Sequence, residues 1–264
     1  MNAPSHHAVS KASRFALAGA LCVVFPLAAV AAETPRAADG HPDLAGNWDN
    51  GSGIDFVAPV KIGDSICLTC EVNPRIAAAG DRPTYKPEYA AKVADLDTRQ
   101  VEEDPLLYCV SPGLPRIGPP DKIVQTPSEI IFLYDDYTGN HFRVIPVDGR
   151  SHRTDVEPGY LGDAIGWWEE DTLVVETVNF NDETWLTDDG SFHTTDLRVI
   201  ERLSRDGDTL EWRATAYDPE VLKEPWELVP RLAQRTDVGI VEAPPCIERS
   251  LDIRVNDSNH DNLR

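Results

Sequence analysis

From Lys122 onward the apolar and polar positions of the chain alternate with a period of two. "KIVQ" (122–125) and "EIIFLYDD" (129–136) flank the turn-like "TPS", and "HFRVIPVDGR" (141–150) ends in Asp148-Gly149. "AIGWW" (164–168) and "TLVVETVNF" (172–180) read as a tight hairpin around "EED". "TTDLRVIERLSRDGDTLEWRATAYD" (194–218) reads as a second hairpin around Asp206-Gly207-Asp208, and "ELVPRLAQR" (227–235) and "CIERSLDI" (246–253) extend the series. Successive side chains of a strand point to opposite faces, so this alternation predicts half-buried antiparallel strands. A sheet of about eight such strands exposes its edges unless it closes or stacks. The expected fold is mainly β: an antiparallel meander closing into a lipocalin-like barrel, with a two-sheet sandwich as the alternative.

The residues before this region follow other rules. "NPRIAAAG" (73–80) predicts a short helix with a glycine stop. "KPEYAAKVADLDTRQ" (86–100) predicts a longer one, with Pro87 in the first turn and Tyr89, Val93 and Leu96 on one face. "PDLAGNWDN" (42–50) reads as an entry segment pinned by Leu44 and Trp48, "YCVSPGLPRIGPP" (108–120) as a proline-rich loop, and "DPEVLKEPW" (218–226) as a short helix or turn. The expected limits are an irregular and helical part at 33–120, the meander at 121–254 and a loose tail at 255–264.

Residues 1–32 stand outside this domain. Lys11 and Arg14 precede the apolar "FALAGALCVVFPLAAVAA" (15–32), which ends in small residues ahead of the polar "ETPRAADG". That order predicts a secretory signal peptide and a soluble, periplasmic or secreted product. The net charge of −21 falls to −23 when Lys11 and Arg14 leave with the signal. So acidic a chain repels nucleic acid and anionic lipid, and no later segment is apolar enough to insert in a membrane. Neutral or cationic small ligands suit it better than anionic ones, and the sequence fixes no oligomeric state. Of the five cysteines, Cys22 leaves with the signal. Cys67, Cys70, Cys109 and Cys246 remain for disulfides in an oxidising compartment, with Cys67–Cys70 and Cys109–Cys246 the preferred pairing. "CLTC" lacks the second ligand pair of a zinc site.

"PDLAGNW" (42–48), "GLPR" (113–116), "DGRSH" (148–152), "WEEDTLVVET" (168–177), "FNDETWL" (180–186) and "LRVIER" (197–202) together resemble a large family of secreted bacterial proteins that carry the same motifs. The resemblance covers most of residues 40–230. It implies export and the limits of one domain; it implies no reaction, because no activity shared across the family is known. Glu170 departs from it, standing where the family more often has glycine in the hairpin turn.

The chain has no glycine-rich phosphate loop, HExxH or GxSxG. It has instead a concentration of His, Arg and carboxylates around "TWLTDDGSFHTTDLR" (184–198) and "DGRSHRTD" (148–155). His193 is the candidate general acid or base, because imidazole titrates near neutrality and Asp188 or Asp196 is near enough in sequence to orient it. Glu176, flanked by Val174 and Val178 on one strand face, is a candidate second carboxylate. Arg198, one strand away, is either its structural partner or an anion stabiliser. Trp185, His152 and Trp168 are the candidate substrate-binding residues. No cofactor or metal is expected, although His141, His152 and His193 on separate strands would suit a three-imidazole site. The leading expectation is an exported enzyme doing acid/base chemistry, of lyase, isomerase or hydrolase type, on a small, neutral, partly apolar molecule. The alternatives are a lipocalin-like small-molecule binding protein and a structural envelope module.

Overall fold

The alternating stretches form the strands of a nearly closed antiparallel barrel in a computed structural model that describes residues 34–50, 60–62, 65–67, 82–136 and 138–246. The strands are β1 (Gly46–Asp49), β2 (Val60–Ile62), β3 (Ser65–Cys67), β4 (Lys122–Gln125), β5 (Glu129–Asp136), β6 (Gly139–Pro146), β7 (Asp163–Glu169), β8 (Thr172–Val178), β9 (Arg198–Asp206), β10 (Thr209–Tyr217), β11 (Trp226–Glu227) and β12 (Arg231–Thr236). Helices α1 (Ala90–Thr98) and α2 (Gln100–Glu103) fall within and just after the longer helix expected at 86–100, and a short 3-10 helix covers Pro105–Tyr108. Residues 218–226 form turns rather than a helix. The expected signal peptide, the helix at 73–80, Cys70, the strand at 247–253 and the tail lie outside the described residues.

Round the barrel the order is β6-β5-β4-β1-β12-β10-β9-β8-β7, with β11 paired to β10 off this path and β2–β3 a separate hairpin. This is a meander in chain order, closed by β1 between β4 and β12. The segment 33–120 therefore supplies a barrel strand and is not merely irregular and helical. Nine strands cannot all alternate in direction round a ring. Every ladder on the path is antiparallel, so the two end strands, β6 and β7, run the same way. Parallel neighbours need a crossover rather than a tight turn, and residues 147–162 are that crossover. The seam is close: a Cβ on Gly166 of β7 would lie 2.9 Å from Ile145 Cγ2 and 3.1 Å from Val147 Cγ1.

Period two decides what lies inside. Leu173, Val175 and Thr177 of β8, Val199, Glu201 and Leu203 of β9, and Leu210, Trp212, Ala214 and Ala216 of β10 are all buried. With Trp48, Phe132 and Tyr134 they fill the interior as a packed core. Two charges lie in it. Arg143 Nη2 is 2.6 Å from Glu201 Oε2 and donates to Thr177 Oγ1 at 2.7 Å, while Nη1 donates to Tyr134 Oη at 3.1 Å. Trp212 Nε1 donates to Glu201 Oε1 at 3.0 Å. The Oε2 contact is off the line of a good hydrogen bond and acts as an ion pair. Removing one partner would strand a buried charge.

Cys109 and Cys246 form a disulfide with Cα atoms 5.7 Å apart, in the expected pairing. Cys67 ends β3, and the expected Cys67–Cys70 pairing lies outside the described residues. Glu170 has a φ of 54°, the left-handed region that favours glycine. Among the described residues no helix is long and apolar enough to cross a membrane.

Candidate functional site on the outer face of the barrel

The first part of the crowded segment, residues 184–193, is a structural loop packed against α1 and the residues before it. Trp185 and Phe192 form a β-bridge, and Gly190, with φ 80°, turns the chain against α1, where a Cβ would lie 2.6 Å from Leu96 Cβ. Asp189 accepts from Ser191 Oγ at 2.5 Å and pairs with Arg82 Nε at 2.7 Å. Tyr85 donates its hydroxyl to the Phe192 carbonyl and stacks on the Phe192 ring. Trp185 is buried in the core.

His193 is 2% exposed. Its Nδ1 lies 3.0 Å from the Thr194 carbonyl, which can only accept, so Nδ1 carries the proton. Nε2, 2.7 Å from Thr184 Oγ1, then accepts from that hydroxyl. Burial pushes the imidazole below its usual pKa, against the pull of the Thr194 carbonyl and Asp218. Neither expected partner orients it. Asp196 is exposed to solvent. Asp188 lies by Arg116, with its carboxyl raised by burial against that cation and its carbonyl accepting from Gln100. The expected dyad of His193 with Asp188 or Asp196 is therefore not assembled, for a physical reason: Thr184 and Thr194 already take both ring nitrogens.

A different histidine meets the carboxylates. Asp163, at the start of β7, is buried beneath the crossover. It accepts from Arg153 N at 3.0 Å, from Arg153 Nε at 2.6 Å and from His152 Nδ1 at 3.0 Å. Burial raises this carboxyl, but the Arg153 and His152 donors outweigh it and hold the pKa below the usual value. His152 Nε2 faces Glu176 Oε2 at 3.6 Å and has no hydrogen-bond partner among the described residues. Glu176 points outward from β8, not into the barrel, and its Oε1 accepts from Arg198 Nη1 at 2.9 Å. The Arg198 guanidinium lies 4.3 Å above the Tyr217 ring, its cross-strand neighbour.

This chain, Asp163–His152–Glu176–Arg198–Tyr217, ends at a groove of about 620 Å³. Val178 and Asn179 at the end of β8, Leu197 and Arg198 at the start of β9, and Tyr217 and Asp218 at the end of β10 form one wall. Lys86, Leu222 and Lys223 face them. Asp218 accepts from Thr194 N at 2.6 Å and from the amides of Glu220 and Val221, so it caps the turn that forms the far wall. Lys86 Nζ fastens the same turn by donating to the carbonyls of Pro219 at 2.7 Å and Glu220 at 3.0 Å.

Of the residues expected at a site, His152, Glu176 and Arg198 come together and Asp196 lines the groove. His193, Asp188 and Trp185 belong to packing. Trp168 stacks face to face with His41 at 4.6 Å, away from the groove. His141 accepts or donates at Thr138 Oγ1, and among the described residues no cluster of three or more His, Cys, Asp or Glu is placed to hold a metal ion. Tyr217, Asp163 and Lys223 are the site residues that sequence reasoning missed. Tyr217 had a signal, since counting outward from the Gly207-Asp208 turn places it opposite Arg198. No protein-family model and no curated protein sequence matches the chain.

Proposed function

We propose that the protein is an exported small-molecule binding protein that holds its ligand in the groove beside Arg198 and Tyr217, outside the barrel. One observation carries this reading. The interior, where a lipocalin-like barrel would keep a ligand, is filled by Trp48, Phe132, Tyr134 and Trp212 with the Arg143–Glu201 pair, while the groove is open and has Arg198 fixed at its wall. The disulfide supports export to an oxidising compartment, as does the basic-then-apolar start of the chain. To test the binding reading, the purified protein is incubated with cell extract and its retained small molecules are identified by mass spectrometry. Thr195→Trp, a surface change that fills the groove, abolishes retention. A ligand retained equally by this variant would place binding elsewhere and end the reading.

A second reading, proton transfer on the same face, is favoured by the Asp163–His152 pair. The carboxylate accepts from Nδ1, which leaves the lone pair on the buried Nε2 turned to Glu176, so a proton accepted at Glu176 passes on to His152. If this reading holds, extract components are altered and not only retained, and His152→Gln stops the alteration while retention persists.

A further inference from the structure

We propose that the groove selects small organic carboxylates with a flat apolar body, such as aromatic monocarboxylates; this rests on the groove being the binding site. The chain as a whole is strongly acidic, with 24 Lys and Arg against 45 Asp and Glu. The groove departs from that balance. Lys86, Arg198 and Lys223 line it against Asp196, Asp218 and Glu224, so cations equal anions there. Asp218 is moreover occupied by the Thr194 side chain and by three backbone amides.

The state of Arg198 carries the specificity. Two contacts on one side fix its guanidinium: Nη1 donates to Glu176 at 2.9 Å and the plane lies over Tyr217 at 4.3 Å. Among the described residues no acceptor is bound to Nε or Nη2. The free edge of a guanidinium presents two N–H groups in the spacing of the two oxygens of a carboxylate. Because Glu176 and Tyr217 already order the side chain, little rotamer entropy remains to be lost when a ligand takes that edge. Val178, Leu197, Leu222 and Pro225 supply apolar surface beside it for a ring or short chain. A neutral ligand has one acceptor atom where the fork offers two donors, and an ammonium cation has no acceptor for it at all.

Glu176 competes for the same guanidinium, and this gives the proposal a second handle. Glu176→Gln keeps an acceptor for Nη1 and removes the negative charge beside the incoming carboxylate, so it strengthens carboxylate binding. Arg198→Gln removes the fork. Arg198→Lys keeps the charge without the fork and has an intermediate effect.

The test is calorimetric titration of the full protein with benzoate, benzyl alcohol and benzylamine at low ionic strength. Benzoate binds roughly tenfold tighter than benzyl alcohol, and benzylamine binds weakest. Arg198→Gln removes the advantage of benzoate and weakens benzyl alcohol far less; Glu176→Gln tightens benzoate alone. Melting curves check that both variants stay folded. Benzyl alcohol or benzylamine binding as tightly as benzoate overturns the carboxylate inference and leaves the groove as the site. So does an undiminished benzoate preference in Arg198→Gln. Binding of none of the three overturns the groove reading itself.

Discussion

His152 and His193 sit in loops of nearly the same make-up, each a few residues past an Asp–Gly turn with aspartates on both sides, yet they do opposite work. His193 is buried with its ring edge-on to Phe180, and a hydroxyl and a carbonyl occupy its two nitrogens. His152 lies on the crossover, its side chain 21% exposed, with one nitrogen held by Asp163 and the other facing Glu176. The difference comes from connectivity. The 179–197 connection joins β8 to β9, adjacent antiparallel strands, and at Gly190 it packs against α1. The 147–162 loop has to travel between parallel ends and is stretched over the outer face, where Arg198 and the groove are. A histidine between aspartates is therefore a weak sign of chemistry until its nitrogens have been accounted for.

The contrast can be broken at either histidine. The largest effect is expected from His193→Ala, which leaves the Thr184 hydroxyl and the Thr194 carbonyl buried without their partner. It costs about 2–4 kcal/mol of stability in urea unfolding while leaving ligand binding in the groove intact. Asp163→Asn costs less, about 1–2 kcal/mol, because one acceptor oxygen survives. Its signature is faster proteolytic cleavage within 147–162. A pH dependence is expected from the His193 loop. The pKa of His193 is lowered by burial in the folded state, so the unfolded chain binds the proton more tightly. Stability from this group is complete above the ordinary imidazole pKa of 6.5 and is lost as pH falls below it. His193→Asn flattens that part of a stability-against-pH curve. An undiminished slope in the variant would mean that another group titrates. The smallest effect is Arg153→Ala. That side chain is 62% exposed, so its loss lowers stability by less than about 1 kcal/mol.

Much of the barrel was legible because strand alternation is a local signal. β5, β9 and β10 follow it closely, and the turn at Asp206-Gly207-Asp208 sets a register that runs out to Arg198 and Tyr217. β1 was not legible as a barrel strand. "GNWD" is four residues in a Pro- and Gly-rich stretch, and it is a strand only because β4 and β12 supply its hydrogen bonds from far along the chain. At the site, the Glu176–Arg198 pair could be read because it spans neighbouring strands. Which way Glu176 faces could not, since Val174 and Val178 flank it on the outer side as apolar neighbours would on the inner. Asp163 and His152 are joined through an irregular crossover that carries no period, so nothing in the sequence announced their bond.

The odd number of strands has a mechanical consequence. A ring of hydrogen-bonded ladders has no preferred place to come apart, but this one is fastened between β6 and β7 by side chains packed at Gly166 and by the crossover above them. Under load or in denaturant the molecule has a built-in opening line. Solvent deuterium should enter the amides of β6 and β7 first, and the sheet should then peel away from that line in both directions. A bulky residue at position 166 would act as a wedge driven into it.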